Sequence, residues 1–584
     1  MGSYARRAHR DSRSDRSDSQ DRAHDPGGHK GWGAQLTTPP AVAKKTTVAD
    51  AILRLMEVYG VDTIFSIPGI HTVDFYRSLP DRRIRHITPR HEQGAAFMAY
   101  GYAFATGRVA ACMLITGPGV LNASTGIAEA YSDSIPMLVI VANNLIAEIG
   151  VGRGALHETK SQSAVQEQIA AFSHTLLEAS NIEEIFHRAM SLMEICRPRP
   201  SFIEVPRNLL ASPVDVPAAR KPVVYRPGPQ PAAVLEAAKL LTSARRPLII
   251  AGGGARGASE EVGRLARRLG APVVTTNTGK GILPESDPLS LGSSLPFQAV
   301  AEFIAEADVV LAVGTELSET DLLYTCNRYR IEGVLIRLDI DPKQLTMNYL
   351  PEVAILADAT AGLRAICLAC DEKLPRAEND AKRRVAAVRA SLESCHGWSA
   401  EAPKHKLVLR TMAKVFEPDA LICADSTQLA YTGNHYFPSA RPGAWLFPNG
   451  YGTLGSAVPA AIGAKIGCPD RQVIAIVGDG SFLYSIEELT TAVENEVSLP
   501  IILWNNRAYG EIRDAMRSAD IPTIGVDLYT PDFQMIARGF GCHAVNIESF
   551  HQLESELRGA FSRRKPTLIE IDSGAAMFSE APAG

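Results

Sequence analysis

The sequence predicts an α/β protein with three doubly wound parallel-sheet domains, and three observations support this class. Short apolar strands alternate with helical stretches from Thr46 to Ile571, a pattern typical of parallel sheets covered by helices. The length of 584 residues is enough for about three or four domains. Hydrophobic residues make up 46% and charged residues 21% of the chain, so several cores can be buried.

The net charge and the cysteine content limit which kinds of partner the protein can bind and which cellular compartment it can occupy. The chain has 59 basic and 64 acidic residues and a formal net charge of −5, so it offers no general attraction to nucleic acid or to an anionic membrane. No apolar run has the length of a membrane span. Nine scattered cysteines, without a secretory signal, indicate reduced thiols. We expect a cytoplasmic protein whose partners are small molecules or further copies of itself.

Changes in composition divide the chain into a tail and three blocks. Residues 1–43 are rich in Arg, Ser and Asp and are predicted to be a disordered tail. The first α/β domain is predicted at 44–216, the central one at 229–372 and the third at 402–573. A proline-rich stretch fits a linker between the first two domains. The first and third blocks are similar in size and in the spacing of their elements.

The central block begins with a strand and a glycine-rich turn, Gly252-Gly253-Gly254. This run is not the GxGxxG pattern of dinucleotide-binding domains, and Asp339 lies too far along the chain to be the acidic residue of such a site. We interpret the turn as one that allows close packing rather than as a nucleotide site.

The third block holds two strands that each run into a polar turn. Residues 472–477 lead into Gly478-Asp479-Gly480-Ser481, and residues 500–504 lead into a second turn that contains Asn506 and Ala508. Because parallel strands end at one edge of a sheet, Asp479 and Asn506 are expected to meet. A carboxylate, an amide and a backbone carbonyl suit Mg²⁺ that is completed by phosphate oxygens and water. We also expect a helix from about Ile486, directed at those phosphates. Two unrelated polar turns are the alternative.

These turns resemble the cofactor motif of the thiamine diphosphate (ThDP) dependent enzymes of the acetolactate synthase and 2-oxo acid decarboxylase family. Three further segments are similar to motifs of that family and occur in the same order along the chain: Arg90-His91-Glu92-Gln93-Gly94-Ala95, Gly117-Pro118-Gly119-Val120-Leu121-Asn122, and the segment from Gly452 to Ala464. The resemblance extends from about residue 46 to residue 571. It implies a pyrimidine-binding, a central and a diphosphate-binding domain.

The resemblance also implies the roles of individual residues. Glu92 is the implied catalytic residue and would exchange a proton with N1′ of the aminopyrimidine ring. In an isolated segment, Glu92 would more simply cap a helix or pair with Arg90. The implied Mg²⁺ ligands are the side chains of Asp479 and Asn506 and the carbonyl of Ala508. The implied cofactor contacts are Glu92, Gly480 and Ser481, Leu454 beneath the bent cofactor, the Gly452 carbonyl at the 4′-amino group, and Gln428.

Two outcomes are open for a 2-oxo acid that ThDP chemistry decarboxylates. Protonation releases an aldehyde, whereas attack on a second carbonyl gives an acetolactate-like carboligase with pyruvate as the donor. Within the family, the chain most resembles the 5-guanidino-2-oxopentanoate decarboxylases, through residues 70–76, 152–158, 172–177 and 509–513. One departure is Tyr100, which stands where the family usually has Asp.

Glu511 follows the predicted metal ligand Asn506 closely and is the predicted substrate-binding residue, together with His71. A carboxylate at that place can form paired hydrogen bonds with a guanidinium group. His157 and Glu158 are additional polar candidates. We therefore expect decarboxylation of a polar 2-oxo acid such as 5-guanidino-2-oxopentanoate. The alternative gives Glu511 a structural role at a helix N-terminus.

The resemblance bears on other cofactors and on assembly. Residues 313–318 stand where flavin-binding relatives tend to have an arginine-bearing segment, so FAD is not expected. The family pattern implies a homodimer or homotetramer, in which Glu92 of one subunit acts on a cofactor held by the diphosphate-binding domain of another. A catalytically inactive regulator with the same fold and a nucleotide-binding scaffold are the alternatives from other classes.

Overall fold

The computed structural model of the protein describes residues 46–215, 220–322, 330–370, 378–394 and 399–579. It contains three six-stranded sheets whose strands pair in parallel, each accompanied by helices, so the predicted fold class is confirmed. The predicted disordered tail lies outside the described residues. Within those residues, no helix is both long and apolar enough to cross a bilayer.

The first domain has the strand order β2-β1-β3-β4-β6-β5. Its strands are β1 (Thr63–Ser66), β2 (Arg85–Ile87), β3 (Ala110–Leu114), β4 (Met137–Asn143), β5 (Phe172–Thr175) and β6 (Ser201–Pro206). Its helices are α1 (Val48–Val58), α2 (Val73–Tyr76), α3 (Glu92–Thr106), α4 (Pro118–Ser132), α5 (Gln162–Glu167), α6 (Ile182–Ile195) and α7 (Arg207–Leu210).

The central domain has the strand order β12-β11-β10-β7-β8-β9. Its strands are β7 (Pro247–Ala251), β8 (Val273–Thr275), β9 (Ser290–Gly292), β10 (Val309–Val313), β11 (Val334–Asp339) and β12 (Val353–Leu356). Its helices are α8 (Pro231–Ser243), α9 (Ser259–Leu269), α10 (Gln298–Ala305), α11 (Glu319–Leu322), α12 (Ala359–Ala369) and α13 (Glu378–Ser394). The Gly254 N–H donates to the Gly314 carbonyl at 3.0 Å, so the glycine-rich turn packs closely against the turn after β10.

The third domain has the strand order β14-β13-β15-β16-β18-β17. Its strands are β13 (Leu421–Ala424), β14 (Trp445–Leu446), β15 (Val473–Gly478), β16 (Pro500–Asn505), β17 (His543–Asn546) and β18 (Thr567–Asp572). Its helices are α14 (Ala402–Val415), α15 (Gln428–Tyr436), α16 (Ala457–Gly467), α17 (Asp479–Phe482), α18 (Glu488–Glu494), α19 (Gly510–Ser518), α20 (Phe533–Gly539) and α21 (Phe550–Ala560). Short 3-10 helices lie at Leu79–Asp81, Ala179–Asn181, Gly253–Ala258, Gln344–Thr346 and Ala576–Phe578.

The first and third sheets share one topology. When strands are numbered from one within each domain, both sheets read 2-1-3-4-6-5. The chain reverses its direction across the sheet between β1 and β3, and again between β13 and β15. Ligands of open parallel sheets bind at such reversal points, outside the carboxyl ends of the strands. The central strands β15 and β16 are buried along their whole length, as expected for strands covered on both faces.

Helices α3 and α16 join the first and third domains. A Cβ atom on Gly101 would overlap the Ala460 carbonyl, and one on Gly463 would overlap the Met98 carbonyl, so the two backbones are in direct contact. Apolar residues of both domains form one continuous core around this pair. The helix that begins at Glu92 is therefore packed directly against the third domain of the same chain.

Candidate active site

The two polar turns of the third domain meet as predicted. Asp479 follows β15, Asn506 follows β16, and these strands are direct neighbours. The backbone N–H groups of Gly480, Asn506 and Arg507 face the Asp479 carboxylate and partly offset the effect of burial on its pKa. Burial raises the pKa of Asp479 to about 6. The helix expected from about Ile486 is α18, which begins two residues later, at Glu488, and a further four-residue helix, α17, begins at Asp479 itself.

Asn506 is held in one orientation by three neighbours. Its Nδ2 donates to Gln428 Oε1 at 3.2 Å, and its Oδ1 accepts from the Ala508 N–H at 3.2 Å. A Cβ on Gly510 would overlap Asn506 Nδ2 and lie 2.7 Å from Gln428 Oε1. Only glycine at position 510 leaves room for this amide pair.

These groups fit a divalent cation that is shared with a bound diphosphate. The donors to the buried Asp479 carboxylate are backbone N–H groups, so its charge is left for a cation to balance. In the described ranges, no cluster of three or more His, Cys, Asp or Glu side chains could hold a metal by itself. One carboxylate with neutral oxygen donors is the set that Mg²⁺ uses when phosphate oxygens complete its shell.

Ser481 and the buried Asp425 hold the start of the segment that leads into α16. Ser481 Oγ accepts from the Gly455 N–H at 2.9 Å. The Asp425 carboxylate accepts from the N–H groups of Gly455 and Ala457 at 3.2 and 3.1 Å, and burial raises its pKa. Asp425 was not predicted from the sequence, although its place directly after the buried strand β13, at the reversal point, was a usable signal. The Tyr509 ring lies against Gly480.

Residues 449–454 bring Gly452 and Leu454 to the same edge of the third domain. Gly452 has a φ of 71°, and its carbonyl accepts from Ser426 Oγ at 3.4 Å. Leu454 is half-buried. The segment is held by Glu129 and Asp133, two carboxyl groups at the end of α4 in the first domain.

Tyr100 belongs to this interdomain contact. Its hydroxyl donates to Asp133 Oδ2 at 2.6 Å, and its side chain is fully buried. The departure from the family pattern at this position therefore concerns the packing of two domains.

The two motifs of the first domain converge on Glu92. Asn122 Nδ2 donates to Glu92 Oε2 at 3.0 Å, and Gly119 lies against the same carboxylate. Glu92 is half-buried and is the first residue of α3. The alternative ion pair is not formed, because Arg90 pairs with Glu494 at 2.7 Å instead.

Glu488 of the third domain holds the backbone just before Glu92. Its carboxylate accepts from the N–H groups of Arg90 and His91, each at 3.0 Å, and burial raises its pKa to about 7. The sequence carried no signal for this role, because the contact joins residues about 400 positions apart.

Glu511, the predicted substrate residue, lies beside the turn that carries Asn506. Gln428 Nε2 donates to Asp514 Oδ2 at 3.0 Å and approaches Glu511 Oε2 at 3.4 Å. Burial raises the pKa of Glu511, and the charge of Asp514 raises it further. The two basic residues of α19 form ion pairs with carboxylates other than Glu511: Arg513 pairs with Asp527, and Arg517 pairs with Asp514.

The other candidate substrate-binding residues, His71, His157 and Glu158, belong to the first domain, whereas Glu511 belongs to the third. His71 is buried, its Nδ1 is 2.9 Å from Thr116 Oγ1, and its ring meets His157 edge to face. Burial, followed by the charge of Arg207, lowers the pKa of His71. The Glu158 carboxylate accepts from the N–H groups of Gly152, Gly154 and Ala155, so it stabilises the loop 152–158 to which it belongs.

A separate cavity opens where the central domain faces the other two. Gly254, Thr315 and Asp339 line it on one side, and Asp133 and Gly450 line it on the other. Residues 313–318, on which the expectation of no FAD rests, border this cavity.

Comparison with known proteins gives matches over most of the chain. Three family models match: the N-terminal TPP binding domain of thiamine pyrophosphate enzymes at 46–167, their central domain at 234–366 and their C-terminal TPP binding domain at 425–571. Thiamine pyrophosphate (TPP) is ThDP under another name.

Individual relatives agree with these matches. A probable 2-ketoarginine decarboxylase, AruI of Pseudomonas aeruginosa, is 45% identical over 545 residues, covering 91% of this chain and 95% of the relative. A probable acetolactate synthase large subunit of Methanocaldococcus jannaschii is 31% identical, covering 92% of this chain and 94% of the relative. The acetolactate synthase isozyme 1 large subunit of Escherichia coli is 29% identical, with 93% and 97% covered. The chain is therefore a ThDP-dependent enzyme and belongs to the thiamine pyrophosphate enzyme family, as its motifs predicted.

Proposed function

We propose that this enzyme uses ThDP and Mg²⁺ to decarboxylate a polar 2-oxo acid, 5-guanidino-2-oxopentanoate being the best candidate, to an aldehyde and CO₂. The observation that carries this proposal is Glu511, a half-buried carboxylate beside Asn506 while the basic residues of its own helix pair with other carboxylates. The name of the Pseudomonas relative, a probable 2-ketoarginine decarboxylase, supports the same substrate.

Metal and diphosphate binding are assigned to the third domain. Asp479 and Asn506 would bind Mg²⁺ through side-chain oxygens and Ala508 through its carbonyl. The buried Asp479 carboxylate and the fixed orientation of the Asn506 amide support this assignment. Gly480 and Ser481 would contact the diphosphate, and Gln428 would keep Asn506 in place.

Proton transfer is assigned to Glu92. Its carboxylate would exchange a proton with N1′ of the aminopyrimidine, while the Gly452 carbonyl accepts the 4′-amino group and Leu454 supports the bent cofactor. Asn122, at 3.0 Å, fixes one carboxylate oxygen of Glu92. Bound ThDP would supply the carbanion chemistry that removes CO₂ from a 2-oxo acid.

Recognition of the substrate side chain is assigned to Glu511, with His71 as a second contact. A carboxylate accepts two parallel N–H bonds from a guanidinium group, which fixes both its position and its orientation. The basic residues of α19, Arg513 and Arg517, pair with Asp527 and Asp514, so a cationic substrate could balance the charge of Glu511. The raised pKa of Glu511, caused by burial and then by the Asp514 charge, is consistent with this.

The active site is proposed to form between subunits of a cytoplasmic homodimer or homotetramer. Exposed apolar side chains lie next to the motifs on both domains: Leu121 beside Asn122, Tyr451 beside Gly452, and Leu483 and Tyr484 after Ser481. Such patches are typical of protein interfaces. Sedimentation of a fully active monomer would contradict this assembly. The purified protein is expected to show no flavin absorbance.

One assay decides between the two reactions. The ThDP- and Mg²⁺-loaded enzyme is incubated with 5-guanidino-2-oxopentanoate or with pyruvate, and CO₂ and products are followed by mass spectrometry. We expect CO₂ and 4-guanidinobutanal from the guanidino acid. Acetolactate from pyruvate, with no turnover of the guanidino acid, would overturn the proposal in favour of the carboligase that the acetolactate synthase relatives suggest.

A further inference from the structure

Two carboxyl groups one helical turn apart, Glu129 and Asp133, lie between the first and third domains. Glu129 is in the last turn of α4 and is fully buried, and Asp133 follows the helix. Helix α4 begins beside Glu92 and ends beside the segment that carries Gly452. Its two ends therefore contact two different parts of the proposed active site.

The pair holds a run of backbone in the third domain. Asp133 accepts from the N–H groups of Asn449 and Gly450 at 3.4 and 2.9 Å, and Glu129 Oε2 accepts from the Thr453 N–H at 3.2 Å. The residue in the middle of this run is Gly452, whose carbonyl is the proposed acceptor for the 4′-amino group.

The second carboxylate oxygen of Glu129, Oε1, indicates where a proton would be bound. Among the residues that the structure describes, none donates to the buried Glu129 Oε1, and the Asp133 carboxyl group, one helical turn further along, is near enough to interact with that of Glu129. Two carboxylates cannot bond to each other, because both only accept. One proton between them removes the repulsion and satisfies the orphaned oxygen.

The surroundings favour such a proton. Burial, and then the neighbouring Asp133 charge, raise the pKa of Glu129. Tyr100 faces Asp133 from α3, Arg256 faces both Tyr100 and Asp133 from the central domain, and Cys423 faces Tyr100 from β13. Arg256 stacks 4.4 Å from the Phe104 ring centroid. A second basic residue, Arg197, donates to Ser134 and to the Ser132 carbonyl beside Asp133, but it pairs with Glu316. Arg256 is therefore left to balance a single net negative charge on the pair.

We propose that Glu129 and Asp133 share one proton and act as a positioning pair that holds residues 449–453 in the conformation that binds ThDP. This inference rests on the proposed function through the role of Gly452. Loss of the proton would leave two adjacent carboxylates, whose repulsion would release the N–H groups of Gly450 and Thr453 and weaken cofactor binding.

The pH dependence follows from the sign of the shift. A carboxyl group with a raised pKa in the folded protein keeps its proton at neutral pH and loses it as the pH rises through that folded value. ThDP affinity should therefore be constant at neutral pH and fall on the alkaline side.

The test is ThDP binding by the full-length protein with saturating Mg²⁺, measured by calorimetric titration from about pH 7 to about pH 10. Glu129→Gln keeps an acceptor for Thr453 and gives Asp133 a permanent N–H donor. We expect it to bind ThDP as the wild type does at neutral pH and to lose the alkaline fall. Glu129→Ala should weaken binding by about 10- to 100-fold at every pH. Glu554→Gln, an exposed Glu that pairs with Arg558, is the matched control and should keep the wild-type profile.

The outcomes separate the proposals. An alkaline fall that persists unchanged in Glu129→Gln would overturn the shared proton, and wild-type affinity in Glu129→Ala would overturn the positioning role. If Glu129→Ala does not fold, as judged by circular dichroism, the profile of Glu129→Gln decides. A wild type that binds ThDP but does not decarboxylate the guanidino acid would contradict the proposed substrate and leave this measurement intact.

Discussion

The diphosphate side and the pyrimidine side of the candidate site differ in how completely one chain builds them. Asn506 is held by hydrogen bonds to Gln428 and to the Ala508 N–H, and backbone N–H groups of the same turn face the buried Asp479 carboxylate. Glu92 is half-exposed, with Asn122 as its hydrogen-bonding side chain. The first half is thus held in place by its own chain, whereas Glu92 stands at a half-exposed position, which is what we expect if it acts across a subunit interface as proposed.

Asp479→Ala changes the diphosphate side of the site and should have the largest effect on cofactor binding and turnover. Without this carboxylate, Mg²⁺ loses its charged ligand, and we expect Mg²⁺ and ThDP to be lost together and turnover to fall by at least about 10³-fold. Native mass spectrometry measures cofactor retention. Asp470→Ala, which removes an exposed carboxylate of the same domain, should change neither quantity. Retention of ThDP by Asp479→Ala would mean that the metal site lies elsewhere.

Glu92→Gln changes the pyrimidine side of the site and should lower turnover without weakening ThDP binding. The amide keeps the size of the side chain but cannot exchange a proton with N1′, so kcat should fall by about 10²–10⁴ while ThDP stays bound. Glu494→Gln, which removes the nearby partner of Arg90, is the matched control. Equal turnover by Glu92→Gln and the wild type would refute the assignment.

Gly510→Ala tests whether the rigidity of the metal turn matters. The added methyl group would overlap Asn506 Nδ2 and push the amide away from Gln428. A misplacement of about 1 Å can cost on the order of 10²-fold in rate, so we expect turnover to fall by about 10- to 100-fold with a matching rise in the Mg²⁺ requirement. Gly539→Ala adds a methyl group into open space and should be silent. If both variants behave alike, the turn is more tolerant than its packing indicates.

Glu511→Gln should have the smallest and most selective effect. Loss of one charge-assisted contact should lower kcat/KM for 5-guanidino-2-oxopentanoate by about 10- to 100-fold. 2-Oxopentanoate, which has the same carbon chain but an uncharged side chain, should be used equally well by variant and wild type. Steady-state kinetics with both acids measures the difference. A parallel loss for both substrates would give Glu511 a structural role instead.

The sequence was sufficient for features that depend on local pattern. Asp479 and Asn506 could be brought together from sequence alone, because parallel strands end at one edge and each residue directly follows a strand. The three sheets followed from the alternation of strands and helices. The helix expected from about Ile486 is present from Glu488, whereas the four-residue helix at Asp479 was missed because so short a helix leaves no periodic pattern.

Features that depend on contacts between domains could not be predicted in this way. Glu488 and Glu129 each lie in an ordinary helical stretch, and their partners are backbone N–H groups in another domain. A backbone donor has no sequence signature, so neither residue could be distinguished from a surface glutamate. Tyr100 was noticed only as a departure from the family pattern; it donates to Asp133, which in turn accepts from Gly450 of the third domain.

The contact between α3 and α16 has a consequence for laboratory evolution of this enzyme. Backbone meets backbone at Gly101 and Gly463, so even one added methyl group there would disturb both halves of the catalytic machinery at once. Helix α19 is the opposite case, because Gly510 is its single buried residue. Libraries that vary α19 around Glu511 can therefore explore new substrates at little cost in folding, whereas libraries that include the α3–α16 contact will mostly yield inactive protein.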